Sequence, residues 1–223
     1  MAFEDYDEYE QSEQVRKWIK ENGIAIVVGV VLALALIFGW RQWQAHKANH
    51  EVQASSQFAV IQNAVQADNK QAMAAALGDL QNNYTDTAYA ALGSAAVAAY
   101  DVGKNDLKPA AQNLQWAVSH SKQPALKSLF TLRLARVLIA QDQAPQALKE
   151  LEGIPSGEYT ALSAELRGDA LLKLGKPGEA RDAYRQAMAK LDKENDAPAR
   201  HALQMKLDNL TQPAAAPTGA KAQ

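Results

Sequence analysis

Few residues in this chain have the types and spacing that chemistry requires. His46 and His50 stand four apart, which puts two imidazoles on one face of a helix where a metal ion could sit. No third ligand is evident, and histidines close to a membrane interface need no metal to explain them. Ser119, His120 and Ser121 adjoin, but they fall at a predicted helix end, where hydration of a turn is the default role. Aspartates and glutamates are scattered along predicted helix surfaces, where solvation and i,i+4 pairing account for them. Asn83-Tyr84-Thr85 and Asn209-Leu210-Thr211 match glycosylation acceptors by spacing alone. The sequence contains no phosphate-cradling glycine motif, nucleophile elbow or metal-ligand cluster, and no cysteine for thiol chemistry, disulfides or Cys-containing zinc sites. The expectation is a protein that is not an enzyme and carries no cofactor. Its function then depends on where the chain is held and what it touches.

Where it is held is set by Gly23 to Trp40, GIAIVVGVVLALALIFGW, which lacks any ionisable side chain. As a helix this run spans about 27 Å, close to the hydrocarbon thickness of a bilayer, and within lipid a lone segment must satisfy its own backbone hydrogen bonds. Trp18 before it and Trp40 and Trp43 at its far end suit the headgroup zone, with Lys20 and Arg41 reaching outward. Two other readings exist. A buried core helix is disfavoured by an apolar face all the way round. A cleaved signal peptide is disfavoured because the run continues past Ala35 through Leu36, Ile37 and Phe38, and because the preceding tail is acidic.

Seven acids and three bases precede the span, and eighteen acids and twenty bases follow it. The near-neutral larger part lacks the basic footprint of a nucleic-acid binder. Arg16, Lys17 and Lys20 cluster just before the span, against only Arg41 and Lys47 just after it, so the positive-inside rule favours a cytoplasmic N-terminus and an external C-terminal domain. Ala25, Gly29 and Ala33 recur every four residues within the span, a spacing that could let a partner helix approach.

The expected fold class is all-α: a single N-terminal transmembrane helix followed by a tetratricopeptide-like α-solenoid. Residues 1–22 form an acidic tail, read as disordered to about residue 11, and then a short amphipathic helix. Residues 23–40 are the transmembrane helix and 41–66 a juxtamembrane helix. Residues 67–211 are the repeat domain with a capping helix, and 212–223 a disordered Pro/Ala-rich tail. The clearest repeat is Ala161 to Glu194, where Gly168, Leu171, Ala180, Tyr184 and Ala187 follow tetratricopeptide spacing around a Gly175-Lys176-Pro177-Gly178 turn. A shift of 33 residues places Ala135, Leu138, Ala147, Leu151 and Ile154 on the same pattern, with the second helix cut short by Pro155. An earlier copy has Gly103 in a turn longer by about two residues, then Ala110, Leu114 and Ala117. A degenerate pair begins near Ser56, and Leu203, Leu207 and Leu210 line the capping helix.

Stacked helix pairs make a concave surface lined by the first helix of each pair. On the repeat alignment its inward positions are Val97 and Tyr100, then Leu132, Arg136 and Ile139, then Glu165, Asp169 and Leu172, a mixture suited to peptide contact. Leu132, Ile139 and Leu172 fit the core equally well.

The acidic tail leading into VRKWIKENG, the span ending GWRQW, the central LRLARV, the block AELRGDALL and the terminal QMKLDNL resemble the ancillary SecYEG translocon subunit family, also called the YfgM family, over nearly the whole chain. The resemblance implies a single-pass bacterial inner-membrane protein with a periplasmic tetratricopeptide-like domain. It also implies association with the SecYEG translocon and the periplasmic chaperone PpiD, transfer of exported client proteins to periplasmic chaperones, and a cytosolic contact with the response regulator RcsB. The alternative is a tetratricopeptide adaptor assembling a signalling or cell-division complex at the inner membrane.

Overall fold

Alanine, leucine and glutamine are the commonest residues of the chain, and all are good helix formers. The computed structural model describes residues 4–155, 157, 159–191 and 196–210. Among these there are nine helices and no strand: α1 (Glu4–Gln66), α2 (Lys70–Asn83), α3 (Ala88–Gly103), α4 (Leu107–His120), α5 (Pro124–Ala140), α6 (Ala144–Glu152), α7 (Thr160–Lys173), α8 (Pro177–Lys190) and α9 (Ala197–Asn209). Two compact units meet between Gln53 and Ala54.

The first unit is the earlier part of α1. Its most apolar window has a mean hydropathy of 2.7, and none of that window is buried within the chain. A core helix would be covered by its own protein, whereas Ile24, Leu36 and Phe38 all point outward, as lipid contact requires. Trp40 and Trp43 pack at 5.1 Å between ring centroids, and the Lys47 ammonium lies 5.8 Å from the Trp43 ring. The acidic residues expected to be disordered are helical from Glu4 onward, and the helix runs unbroken into the span. Extending an existing helix favours this, because it avoids the cost of nucleation. The C-terminal tail expected to be disordered lies outside the described residues.

The second unit begins with the last turns of α1, so residues 54–66 belong to the repeat domain and not to the juxtamembrane helix. Ala54, Ile61 and Ala64 are buried with Met73, Leu77 and Leu80 of α2 and Val97 of α3. Four helix pairs follow one another, α1 with α2, α3 with α4, α5 with α6, and α7 with α8. Each pair is joined by a three-residue turn. In every turn one residue takes the left-handed conformation: Asp68 at φ 55°, Asn105 at 62°, Asp142 at 59° and Gly175 at 71°. The next backbone N–H donates to the carbonyl five residues back, Asn69 to Ala64 at 2.9 Å, Asp106 to Asp101 at 2.8 Å, Gln143 to Leu138 at 2.8 Å and Lys176 to Leu171 at 3.0 Å. This closure satisfies carbonyls left open at a helix end.

These turns correct the sequence alignment of the α3–α4 pair. Its turn is no longer than the others, and Gly103 is the last residue of α3, while Asn105 takes the left-handed position. The turn residues lie 37, 37 and 33 residues apart along the chain. The shorter last interval reflects the truncated α6, only 9 residues long, which ends just before Pro155.

Small residues set how closely the helices pack. A Cβ on Gly168 would overlap the Tyr184 ring, and Tyr184 is 1% exposed. Ala135 and Ala98 hold the matching place in α5 and α3 and are fully buried. The central core joins α3 to α7 through Phe130, Leu134, Leu138, Leu151 and Leu166, and a separate cluster around Tyr184 and Leu203 ties α9 to α7 and α8.

Candidate functional site

The first helices α3 and α5 form two walls of a pocket, and α4 closes its floor. It measures about 290 Å³ and is half open. Leu107 and Leu114 come from α4, Val102 and three alanines from α3, and Val137 and Ala140 from α5. Arg133 and Arg136 stand on the α5 wall, both exposed. Leu114 and Val137 also belong to the central core, so the packing that holds the repeats together fixes the pocket's shape.

The eight residues expected to face inward separate into groups. Val97 (9% exposed) packs in the first core cluster, and Tyr100 leans on that cluster with its hydroxyl donated to Asp68. Neither lines the pocket. The cause is the supposed two-residue lengthening of the turn: with equal turns, the α3 positions equivalent to Arg136 and Ile139 are Ala99 and Val102, and both line the pocket. Val102 is 43% exposed. On α5, Leu132 is 2% exposed and belongs to the core, Ile139 is half-buried against it, and only Arg136 reaches the pocket. The pocket stripe on α5 is 133, 136, 137 and 140, one helical face. Arg133, one turn before Arg136, was legible by spacing alone and was missed because the apolar Leu132 beside it drew the assignment.

On α7, Leu172 is 44% exposed, whereas Glu165 and Asp169 are engaged by α9. The Lys206 ammonium donates to Glu165 Oε1 at 2.7 Å and to both Asp169 oxygens at 2.7 and 2.8 Å, and the Tyr184 hydroxyl donates to Asp169 Oδ1 at 2.7 Å. Burial lowers the affinity of Lys206 for its proton, but the two carboxylates more than offset this and the net shift is upward. Burial, reinforced by Asp169, pushes Tyr184 above its ordinary value. At the other end of the domain, the hydrogen bond to Asp68 pushes Tyr100 up to about 12, and Tyr100 and Lys104 hold Asp68 below the usual carboxylate range.

His120 stacks on Trp116 with ring centroids 4.0 Å apart, and both its Nδ1 and the Ser119 hydroxyl approach the Trp116 carbonyl, at 3.0 and 2.9 Å. They finish a helix end. Among the described residues no group of three or more histidine, aspartate or glutamate side chains is placed to hold a metal ion. Ala25, Gly29 and Ala33 lie on the lipid-facing part of α1, and a Cβ on Gly29 would meet nothing.

The tetratricopeptide repeat-like domain family matches residues 16–212. The chain is similar to three proteins named ancillary SecYEG translocon subunit. The one from Escherichia coli (strain K12) is 35% identical over 206 residues, covering 92% of this chain and 97% of that protein. The one from Haemophilus influenzae is 32% identical, covering 92% and 98%. The one from Neisseria gonorrhoeae is 28% identical, covering 92% and 97%.

Proposed function

The chain belongs to the ancillary SecYEG translocon subunit family, and on that premise we propose that it is a non-enzymatic, single-pass inner-membrane scaffold. Its repeat domain stands in the periplasm beside the translocon and helps pass exported proteins to chaperones such as PpiD. The observation that carries the reading is that the similarity covers the span of this chain as well as its repeats. The basic cluster Arg16, Lys17 and Lys20 ahead of the span supports a cytoplasmic N-terminus. The open pocket between α3 and α5 supports capture of an extended segment, with Arg136 and Leu172 as exposed contacts. Ala25, Gly29 and Ala33 offer the membrane face for a partner helix. Replacing Gly29 with leucine should weaken that association in co-purification, and an unchanged complex would leave the span as a tether only.

Orientation is tested with a single thiol. Since the chain has no cysteine, Lys108→Cys gives a unique label on exposed α4. A membrane-impermeant maleimide should modify it in intact cells with a permeabilised outer membrane. Protection would sink the periplasmic reading and leave an adaptor that faces the cytoplasm. A photo-crosslinking residue at position 136 should then capture translocon subunits, PpiD or exported chains. Arg136→Glu combined with Leu172→Glu should weaken that capture without unfolding the domain.

A further inference from the structure

Cations on the repeat domain are treated unequally. Lys104 is paired with Asp68 at 3.0 Å, Lys173 with Asp142 at 2.7 Å, and Lys206 with Glu165 and Asp169 at 2.7 Å. Arg133 and Arg136 form no ion pair or hydrogen bond with the described residues, although they stand one turn apart on the same pocket wall. Exposed arginines by themselves mark nothing. These two border an apolar cup of about 290 Å³ formed by Val102, Leu107, Leu114, Val137 and alanines, with no carboxylate in its lining. The chain thus supplies a positive rim and an apolar floor but no counter-charge.

We infer that this pocket selects extended peptide segments in which an aliphatic or aromatic residue is flanked by carboxylates. The apolar side chain enters the cup while a neighbouring carboxylate accepts hydrogen bonds from Arg133 and Arg136. The inference rests on the groove being a peptide-binding surface and adds which sequences that surface prefers. The paired guanidinium groups suit a carboxylate because their planar donor forks match its two oxygens. The adjacent apolar wall strengthens the attraction by displacing water on one side. A basic segment would meet repulsion, and a neutral one would gain only the cup. A half-open cup accommodates one side chain of a passing chain, whereas a fatty acid would need a tunnel to cover its whole tail.

The test uses the full chain in detergent micelles and fluorescent peptides that carry Glu-Leu-Glu, Gln-Leu-Gln or Lys-Leu-Lys in one Gly/Ser frame, read by anisotropy. The glutamate peptide should bind on the order of 10-fold to 100-fold more tightly than the glutamine peptide, as expected for charge-assisted hydrogen bonds. The preference should shrink at high salt and vanish in the Arg133→Gln/Arg136→Gln double variant. Val102→Glu, which puts a carboxylate on the rim, should abolish binding of the acidic peptide. Both variants change exposed residues, and matching thermal melts will show that they fold. The inference is overturned if the glutamine peptide binds as well as the glutamate one, if the double variant keeps the preference, or if oleate binds where no peptide does. The scaffold reading is decided separately by thiol labelling and crosslinking, so peptide binding without acidic preference would remove the selectivity alone.

Discussion

Arg136 and Asp169 occupy the same position in successive repeats, yet one is exposed beside an open cup and the other is locked. The difference comes from what the chain places opposite each. Lys206 on α9 answers Asp169 and Glu165, and Tyr184 donates to Asp169 from α8. Nothing among the described residues answers Arg136. A stacked array therefore treats one slot in two ways: at Asp169 it is filled by the chain's own last helix, which caps the stack, and at Arg136 it is left open.

The sharpest way to break this contrast is to remove the packing behind the locked slot. Tyr184→Ala should cost about 3–5 kcal/mol in urea unfolding, as expected for losing a buried aromatic ring at a site with little room to relax. Gly168→Val should cost roughly 2–3 kcal/mol, because its side chain would intrude on the same ring. Lys206→Met should cost roughly 1–2 kcal/mol, discounted for a side chain still one-third exposed. It should also free α9 to exchange amide hydrogens faster than α3. If α9 stayed as protected as before, the ion pair would not be what holds it.

Alkaline pH probes the same slot more gently. Both Tyr184 and Lys206 hold their protons more tightly in the folded state. Their contribution is therefore complete below the unfolded values near pH 10 and falls as pH rises through the higher folded ones. Stability of the α7–α9 end should decline from about pH 10 upward, and Lys206→Met should flatten that decline in pH-dependent melts. At the open slot, Arg136→Gln should move stability by less than about 0.5 kcal/mol, since the side chain holds nothing in place. A larger loss by thermal melt would mean that Arg136 has a structural partner and that the two slots are not opposites.

Sequence showed the repeats where packing constrains residue size. Gly168, Ala180 and Ala187 are small because helices cross there, and that need leaves a spacing that one chain displays. The turns were harder to read. Glycine takes the left-handed position only at 175, while Asp68, Asn105 and Asp142 take it elsewhere, since a short polar side chain tolerates that conformation. Taking Gly103 for the turn displaced α3 by two residues and put Val97 and Tyr100 where Ala99 and Val102 belong. On α5 a leucine fits core and groove equally well, and only the neighbouring helices decide that Leu132 is core. The link from Lys206 to Glu165 and Asp169 crosses about forty residues and leaves no periodic trace.

The four turns are alike in length and in the place of their left-handed residue, which predicts that they act as interchangeable joints. A joint indifferent to what it connects lets repeats be added or lost without redesigning their neighbours, so the length of the stack becomes a countable quantity. Excising residues 106–142, from just after one left-handed position through the next, should leave a shorter stack that still melts cooperatively by circular dichroism. Loss of the cooperative transition, with only the helical signal of α1 remaining, would show that the repeats are not modular.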